Sequence, residues 1–448
     1  MTRDGRKREA PARVTGPCLL LVIVVLALTL IGIVMVYSSS MVTALSEGKT
    51  TWYYVWRHVR FAVIGVVLAL IVRMVPMQCW KGLSGGGRAG IVLWIVYAIA
   101  IVLLLATCIW GVGSEDESIG ASRWLPVPGI GTIQPSEFAK IVFVLVAAQI
   151  MIDCRASRLS LSQSVLKLVV LVGLPLAVFV LWQESDLGTT IIIAVGILAV
   201  LWLGEVPLIV FLLILAAGVV VVLVAIFSSS YRLERFTTFL YPFSDHSDAT
   251  WQLDHSLWAF SEGGIFGVGL GNSSQKYLWL PESYTDFVYA IIGEEFGLIG
   301  AVIVIVLFLL FLYAGLRIAQ EATDAFGSIV AGSLTLMIVF QAFLNIGCVI
   351  GLAPTTGKTL PFVSSGGSSL LATFIMVGLM LAVSREAALP SVYERRRDDL
   401  RIVRAVDDGH GSSERRPQGR ASGSARSSGS SRPPSTARSS TSTRTGRR

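Results

Sequence analysis

The stretch LPESYTDFVYAIIGEEFGLIG (residues 280–300) runs without a break into AVIVIVLFLLFLYAGL (residues 301–316). About 20 mostly apolar residues suffice for a helix to cross a bilayer. The stretch is therefore long enough to span a membrane, and Glu282, Asp286, Glu294 and Glu295 stand at its mouth. Carboxylates are costly to desolvate there, and an acid so placed is a functional-site hypothesis by default.

Comparable runs recur along the 448 residues, of which 54% are hydrophobic and 15% charged, with a mean hydropathy of +0.71. We count ten, at 18–38, 59–76, 89–110, 137–152, 165–182, 187–203, 206–227, 288–316, 328–350 and 369–384. Lipid offers backbone groups no hydrogen-bond partner, so unbroken apolar runs cross as helices. The expected fold is an all-α polytopic membrane protein with about ten transmembrane helices, and a long extracellular loop (228–287) between helices 7 and 8.

Basic residues mark the cytoplasmic side. Arg3, Arg6, Lys7, Arg8 and Arg13 precede the first run, and Arg73, Lys81, Arg88, Arg155, Arg158 and Arg317 follow later ones. With ten spans these all fall on one side, together with REAALPSVYERRRDDLRIVR after the last run, so both termini are cytoplasmic. The opposite loops are less basic, and one holds the acidic run SEDES (114–118). The first span has the basic flank of a signal peptide, but its apolar core is too long for one and reads as an uncleaved anchor.

Three regions result: a basic cytoplasmic N-terminus (1–17), a membrane domain (18–390) and a cytoplasmic tail (391–448). From about residue 409 the tail is Ser/Gly/Arg-rich, a composition that cannot bury enough surface to fold. Its nine arginines and one glutamate give it +8, against +7 for the whole chain, so residues 1–408 carry about −1. The basic balance belongs to the tail, which suits anionic membrane lipids or a partner, or has no contact at all. Nothing in the membrane domain suggests nucleic acid. Five cysteines and four histidines are scattered, without disulfide or metal-ligand spacing.

Polar residues collect in four places. The 228–287 loop is rich in aromatics and lacks disorder composition, so it reads as a folded functional segment. Its GVGLG has no preceding strand for a nucleotide-binding turn, and its glycines suit tight turns and close packing. In GASRWLPVPGIGTIQPSEFAK (120–140), Pro135 suits a first helical turn, and Glu137 and Lys140 share a face at i, i+3. That pair either binds substrate or locks one helix to its neighbours, while Arg123 and Trp124 lie just outside the span, where they could hold a phosphate or sugar. WQESDLGTT (182–190) places Glu184 and Asp186 in a very short turn. In NIGCVIGLAPTTGKTLPFVSSGGSS (345–369), Lys358 is the only cation, and Ser368 or Ser369 can cap the last helix, whose N-terminal amides favour an anion. A re-entrant turn of Gly, Pro and Ser is the competing reading. All four clusters fall on the outer side, which suggests an anionic extracellular substrate reached from the membrane.

Five segments in order, GASRWLPV with QPSEFAK, DLGTT, YRLERFTTFLYPFSD, GVGLGNSSQKYLWLPESYTDFVYAIIGEEFGLIG and GLAPTTGKTLPFVSSGGSS, closely resemble the SEDS family of bacterial cell-wall proteins. The likeness covers about residues 18–390, and GLGNSSQK with GEE is more similar to the division and sporulation members than to the elongation ones. It implies a peptidoglycan glycosyltransferase that polymerises lipid II on the outer face of the cytoplasmic membrane. It also implies a class B penicillin-binding protein as transpeptidase partner, with other division proteins.

The family's essential aspartate maps to Asp286, and Arg123, Trp124, Glu137, Lys140, Lys358, Ser364 and Ser368 carry over as substrate-binding positions. The chain departs from the family at Tyr284, His255-Ser256, Ser185 and Ser364–Gly367, which bears on the acceptor pocket and on the subfamily. The implied reaction is attack by a GlcNAc 4-hydroxyl at C1 of the strand's MurNAc end, with inversion to a β-1,4 link and release of undecaprenyl pyrophosphate. Asp286 takes the hydroxyl proton as general base. Arg123, Lys140 and Lys358 balance the leaving pyrophosphate, for which a divalent cation is an alternative source of charge.

At 100° per residue, Glu294 lies about 80° and Glu295 about 180° around a helix from Asp286. Only Glu294 can share its cavity, and only if the helix already begins at Asp286; a structural role is open to both. Two rival functions remain. A lipid II flippase suits ten spans, but needs polar sites facing both ways near the midplane. A scaffold that only recruits the transpeptidase leaves Asp286 and Lys140 without a purpose.

Overall fold

The computed structural model of the chain describes residues 16–81, 91–113, 122–127, 131–240 and 248–388. The N-terminal basic residues, the SEDES run and the Ser/Gly/Arg-rich tail lie outside the described residues.

The helices are α1 (Gly16–Ser46), α2 (Tyr53–Met74), α3 (Ile91–Trp110), α4 (Pro135–Arg155), α5 (Leu161–Gln183), α6 (Leu187–Leu203), α7 (Leu208–Phe227), α8 (Ser230–Leu240), α9 (Asp248–Gly263), α10 (Val288–Gln320), α11 (Ala325–Val349) and α12 (Gly367–Ala387). Among the described residues, eight are long and apolar enough to cross a membrane: α1, α2, α3, α5, α7, α10, α11 and α12. The protein is thus a mostly helical, multi-pass membrane protein. The other two expected runs appear as α6, apolar but only 17 residues long, and as α4, which carries Glu137, Lys140, Asp153 and Arg155.

Local chemistry sets the ends. Pro135 opens α4 at its first turn, where no backbone donor is needed. Ser160 and Gln163 form a capping box at the start of α5, and Asp186 caps α6 by accepting from Thr189 N at 2.9 Å. Most of α5 beyond Leu168 is π-helical, in the stretches Val169–Gly173 and Leu176–Gln183.

α4, α11 and α12 form the centre and are buried along most of their length. α12 packs on α2, α10 on α1 and α11, and α6 on α4 and α11. α3 and α7 turn most of their apolar surface outward, as helices facing lipid do.

Two departures from the expected fold stand out. A small three-stranded antiparallel sheet, β1 (Val112–Gly113), β2 (Ser122–Val127) and β3 (Gly131–Ile133), breaks the all-α pattern between α3 and α4. The 228–287 segment is also less of a loop than expected, since α8 and α9 occupy much of it.

α10 is kinked at Gly297, whose φ of 65° and ψ of −162° are non-helical. The break frees carbonyls and amides, and the turn after α9 takes them up. Val268 N and Gly269 N donate to Glu294 O and Glu295 O at 3.0 Å each, while Leu298 N donates to Gly264 O at 2.9 Å. A Cβ on Gly297 would lie 2.4 Å from Gly267 N, so close approach as well as φ requires glycine there. The GVGLG glycines thus serve tight turns and close packing, here against a helix kink.

Candidate active site

Asp286 sits just before α10, whose first helical residue is Val288. Its loop is a tight turn in which Thr285 N, Asp286 N and Phe287 N all donate to Glu282 O, at 3.1, 3.1 and 3.3 Å. Glu282 adopts a positive φ of 53°, an uncommon conformation for a residue with a Cβ. Asn345 on α11 fixes the turn against the 350–366 loop, because its Nδ2 donates to Asp286 O at 2.7 Å and to Lys358 O at 2.6 Å. Asp286 lines a cleft whose wall also includes Arg235, Gln252, Glu282, Thr356 and Lys358.

Burial, reinforced by the Glu282 charge, pushes the Asp286 carboxyl up to about 6, against the partial counter-pull of Lys358 and Arg235. A partly buried carboxylate with that affinity for a proton suits general-base work near neutral pH.

Lys358 links this cleft to the DLGTT turn. Its Nζ donates to Asp186 Oδ2 at 2.5 Å and to Thr189 Oγ1 at 2.7 Å, and Gln134 Nε2 donates to the same Asp186 oxygen at 2.9 Å. A Cβ on Gly188 would lie 2.8 Å from Lys358 Cγ, so the glycine of the motif makes room for the lysine. Burial works against ionisation of Asp186, but the Lys358 ammonium and the more distant Arg123 outweigh it and bring the carboxyl down to about 2. Neighbouring Glu184 is fully buried, and burial first, against the pull of nearby Ser136, pushes its carboxyl up to about 8. Two acids in one turn are thus kept in different states by their surroundings.

Several expected site residues fall elsewhere. Glu137 and Lys140 form a buried ion pair at 2.6 Å, and Lys140 Nζ also donates to Gln341 Oε1 at 2.9 Å. This matches the reading of the pair as a lock between helices, and neither side chain lines the Asp286 cleft. Arg123 donates to the carbonyls of Glu184 at 2.6 Å and Ser185 at 3.1 Å, holding β2 to the turn between α5 and α6. Trp124 is half-buried in β2, paired with Val112.

The expected serine caps are corrected. No side chain caps α12, because Ser368 Oγ accepts from Gln134 N at 2.9 Å and Ser369 Oγ accepts from Gln341 Nε2 at 3.3 Å. Ser364 Oγ accepts from Leu360 N at 2.9 Å, within its own loop.

Glu294 does not share the Asp286 cavity. Since α10 starts at Val288, the angular argument from Asp286 does not hold. The Glu294 carboxylate accepts from Ser273 Oγ and Ser274 N, both at 2.5 Å. Glu295 accepts from Ser38 Oγ at 2.5 Å and pairs with buried Lys276 at 3.3 Å. GEEFG and GVGLGNSSQK are therefore one structural unit that ties α10, its preceding turn and α1 together.

Sequence reasoning did not single out Gln134, Thr189, Arg235, Gln341 and Asn345. One signal was present: Gln341 and Asn345, four apart, put two amides on one face of a mostly apolar helix. Among the described residues no three His, Cys, Asp or Glu side chains converge.

Known proteins resemble this chain in sequence and fold. The chain is 37% identical over 382 residues to a protein of Trichlorobacter lovleyi named probable peptidoglycan glycosyltransferase FtsW, covering 84% of this chain and 94% of that one. It is 36% identical to the stage V sporulation protein E of Bacillus subtilis, over 83% of this chain and 98% of the relative. Among solved structures, a chain of a peptidoglycan synthase complex that coordinates polymerization and crosslinking superposes with a TM-score of 0.63 at 24% identity, over 82% of this chain and 97% of the other. The rod shape determining protein RodA of Thermus thermophilus gives a TM-score of 0.58 at 23% identity, over 83% and 97%, so the fold is shared. The model of the FtsW/RodA/SpoVE family, described as cell cycle proteins, matches residues 18–389, and this chain belongs to that family.

Proposed function

We propose that this protein is a peptidoglycan glycosyltransferase that polymerises lipid II into β-1,4-linked glycan strands during cell division. The observation that carries the reading is Asp286, a carboxylate with a raised proton affinity, placed on a cleft that also has cations in its wall. The names of its relatives, peptidoglycan glycosyltransferase FtsW and a sporulation protein, support it.

The incoming GlcNAc 4-hydroxyl enters the cleft with its proton directed at the Asp286 carboxylate. As its oxygen bonds to C1 of the strand's MurNAc, the proton passes to Asp286 and the C1–O bond to pyrophosphate breaks with inversion. The departing electron pair ends on the pyrophosphate, which needs positive charge nearby rather than an acid. Glu137 and Lys140 act at a distance as a lock on α4 and α11. Arg123 with Trp124, and Ser364 with Ser368, shape the surrounding turns.

The site faces the outside of a bacterial cytoplasmic membrane, with both termini in the cytoplasm and α4 and α6 completing ten spans. Supporting this, α4, α10 and α12 all begin near the site, so their basic ends, Arg155, Arg317 and Arg385, lie at the far side. A class B penicillin-binding protein is the crosslinking partner, in keeping with the solved complex that couples the two activities.

Purified protein given labelled lipid II in detergent tests the reading, because a flippase or a scaffold makes no glycan there. Asp286→Asn should lower polymerisation by at least ~10²-fold while the protein stays monodisperse. Near-normal activity in that variant, or none in the wild type, would overturn it.

A further inference from the structure

Two cations stand in the wall of the Asp286 cleft, Arg235 and Lys358, and they are not equivalent. Lys358 is almost fully buried, and two of its three N–H donors already serve Asp186 and Thr189. Its charge is balanced by an acid that stays ionised. The other cations considered for the leaving group are engaged as well, Lys140 by Glu137 and Gln341 and Arg123 by two backbone carbonyls.

Arg235 is different. Among the described residues its one hydrogen bond runs from Nη1 to Thr355 O at 3.1 Å, and it forms no salt bridge. The guanidinium stacks 4.6 Å over the Tyr231 ring, a support that holds its plane without consuming its donors. A guanidinium has five N–H groups in a planar fork suited to two oxygens at once.

The helix that carries it is anchored. Arg232, three residues earlier on α8, donates to Ala225 O at 2.8 Å and Leu181 O at 3.3 Å, pinning α8 to the ends of α7 and α5. Arg235 is thus a half-buried cation on a fixed helix, with donors to spare, facing the cleft that Asp286 also lines.

We propose that Arg235 is the anion-binding residue of this cleft and grips the phosphate oxygens of a lipid-linked pyrophosphate sugar donor. The identity of the donor rests on the glycosyltransferase reading; the affinity for a pyrophosphate does not. In the reaction, the pair of electrons released from the C1–O bond settles on the pyrophosphate oxygens that Arg235 holds. The 4-hydroxyl proton goes to Asp286, so charge develops between a base on one wall and a cation on another. Lys358 has the narrower task of holding the DLGTT turn.

Binding of undecaprenyl pyrophosphate and of uncharged undecaprenol to the full-length protein in detergent is the direct test, followed by lipid II polymerisation. Arg235→Ala should weaken undecaprenyl pyrophosphate by about tenfold or more and leave undecaprenol within about twofold. Arg235→Lys, which keeps the charge and loses the fork, should fall between wild type and Arg235→Ala. Polymerisation by Arg235→Ala should drop about 10²-fold, as for loss of an oxyanion donor. Equal loss for both lipids would mean a structural role and overturn the proposal, as would unchanged pyrophosphate binding in a monodisperse Arg235→Ala. If wild type binds the pyrophosphate through Arg235 but polymerises nothing, the anion site stands and the glycosyltransferase reading fails.

Discussion

The role proposed for Asp286 requires an ionised carboxylate, and the fold decides at which pH that form is present. Burial of its carboxyl, then the nearby Glu282 charge, raises it to about 6 from an ordinary 3.8. Roughly nine in ten molecules then have the ionised form at pH 7, and roughly one in ten at pH 5. The sign follows: activity is lost as pH falls through about 6, well above the point where a solvated aspartate would take up its proton. kcat/KM for lipid II, measured from pH 5 to 8, should climb about tenfold along an acid limb with its midpoint near 6.

Glu282→Gln removes the nearby negative charge, so the midpoint should move to lower pH while the plateau stays within about twofold. Among the other charged groups around Asp286, Lys358 and Arg235 favour its ionised form and Asp186 opposes it. Arg235→Gln should therefore shift the limb the other way. A flat profile over the whole range in a monodisperse protein, or a midpoint that climbs in Glu282→Gln, would refute the assignment of the limb to Asp286.

Other consequences are equally open to measurement. Lys358→Met leaves Asp186 buried without its ammonium and should cost about 3 kcal/mol or more in thermal unfolding, while Asp186→Asn combined with Lys358→Met should recover a substantial part. Simple additivity of the two would show that they do not act as a pair. Gly297→Ala introduces a methyl 2.4 Å from Gly267 N at a positive φ and should destabilise by about 2 kcal/mol or more. Gly218→Ala, where a Cβ meets nothing within 4 Å, is the control and should change the melting temperature little. A chain ending near Gly409 should polymerise lipid II at close to the full-length rate, because a tail of this composition does not fold into the site, and a loss of about tenfold would give the tail a part in the chemistry.

The outline of the fold was legible in the apolar runs, because lipid forces each spanning segment to satisfy its own backbone and only helices do so. Short-range chemistry was equally legible. Pro135 opened α4, and the i, i+3 spacing of Glu137 and Lys140 gave an ion pair. The expected charge partners were less secure, since a cation reads the same in a sequence whether its charge is free or already balanced. Lys358 meets Asp186 across 172 residues, whereas Arg235 faces the Asp286 cleft without such a partner among the described residues.

Tertiary structure also decided the fate of the acids in the opening stretch. The kink at Gly297 and the start of α10 at Val288 turned Glu294 and Glu295 toward the 264–276 segment and left Asp286 on the cleft. Serine hydroxyls behaved in the same way. Ser368 and Ser369 suit a helix cap by position, yet Gln134 and Gln341 claim them once α4 and α11 pack beside α12. Hydropathy and spacing act along the chain, whereas a buried polar group takes whichever partner packing brings within about 3 Å, and that partner can lie hundreds of residues away.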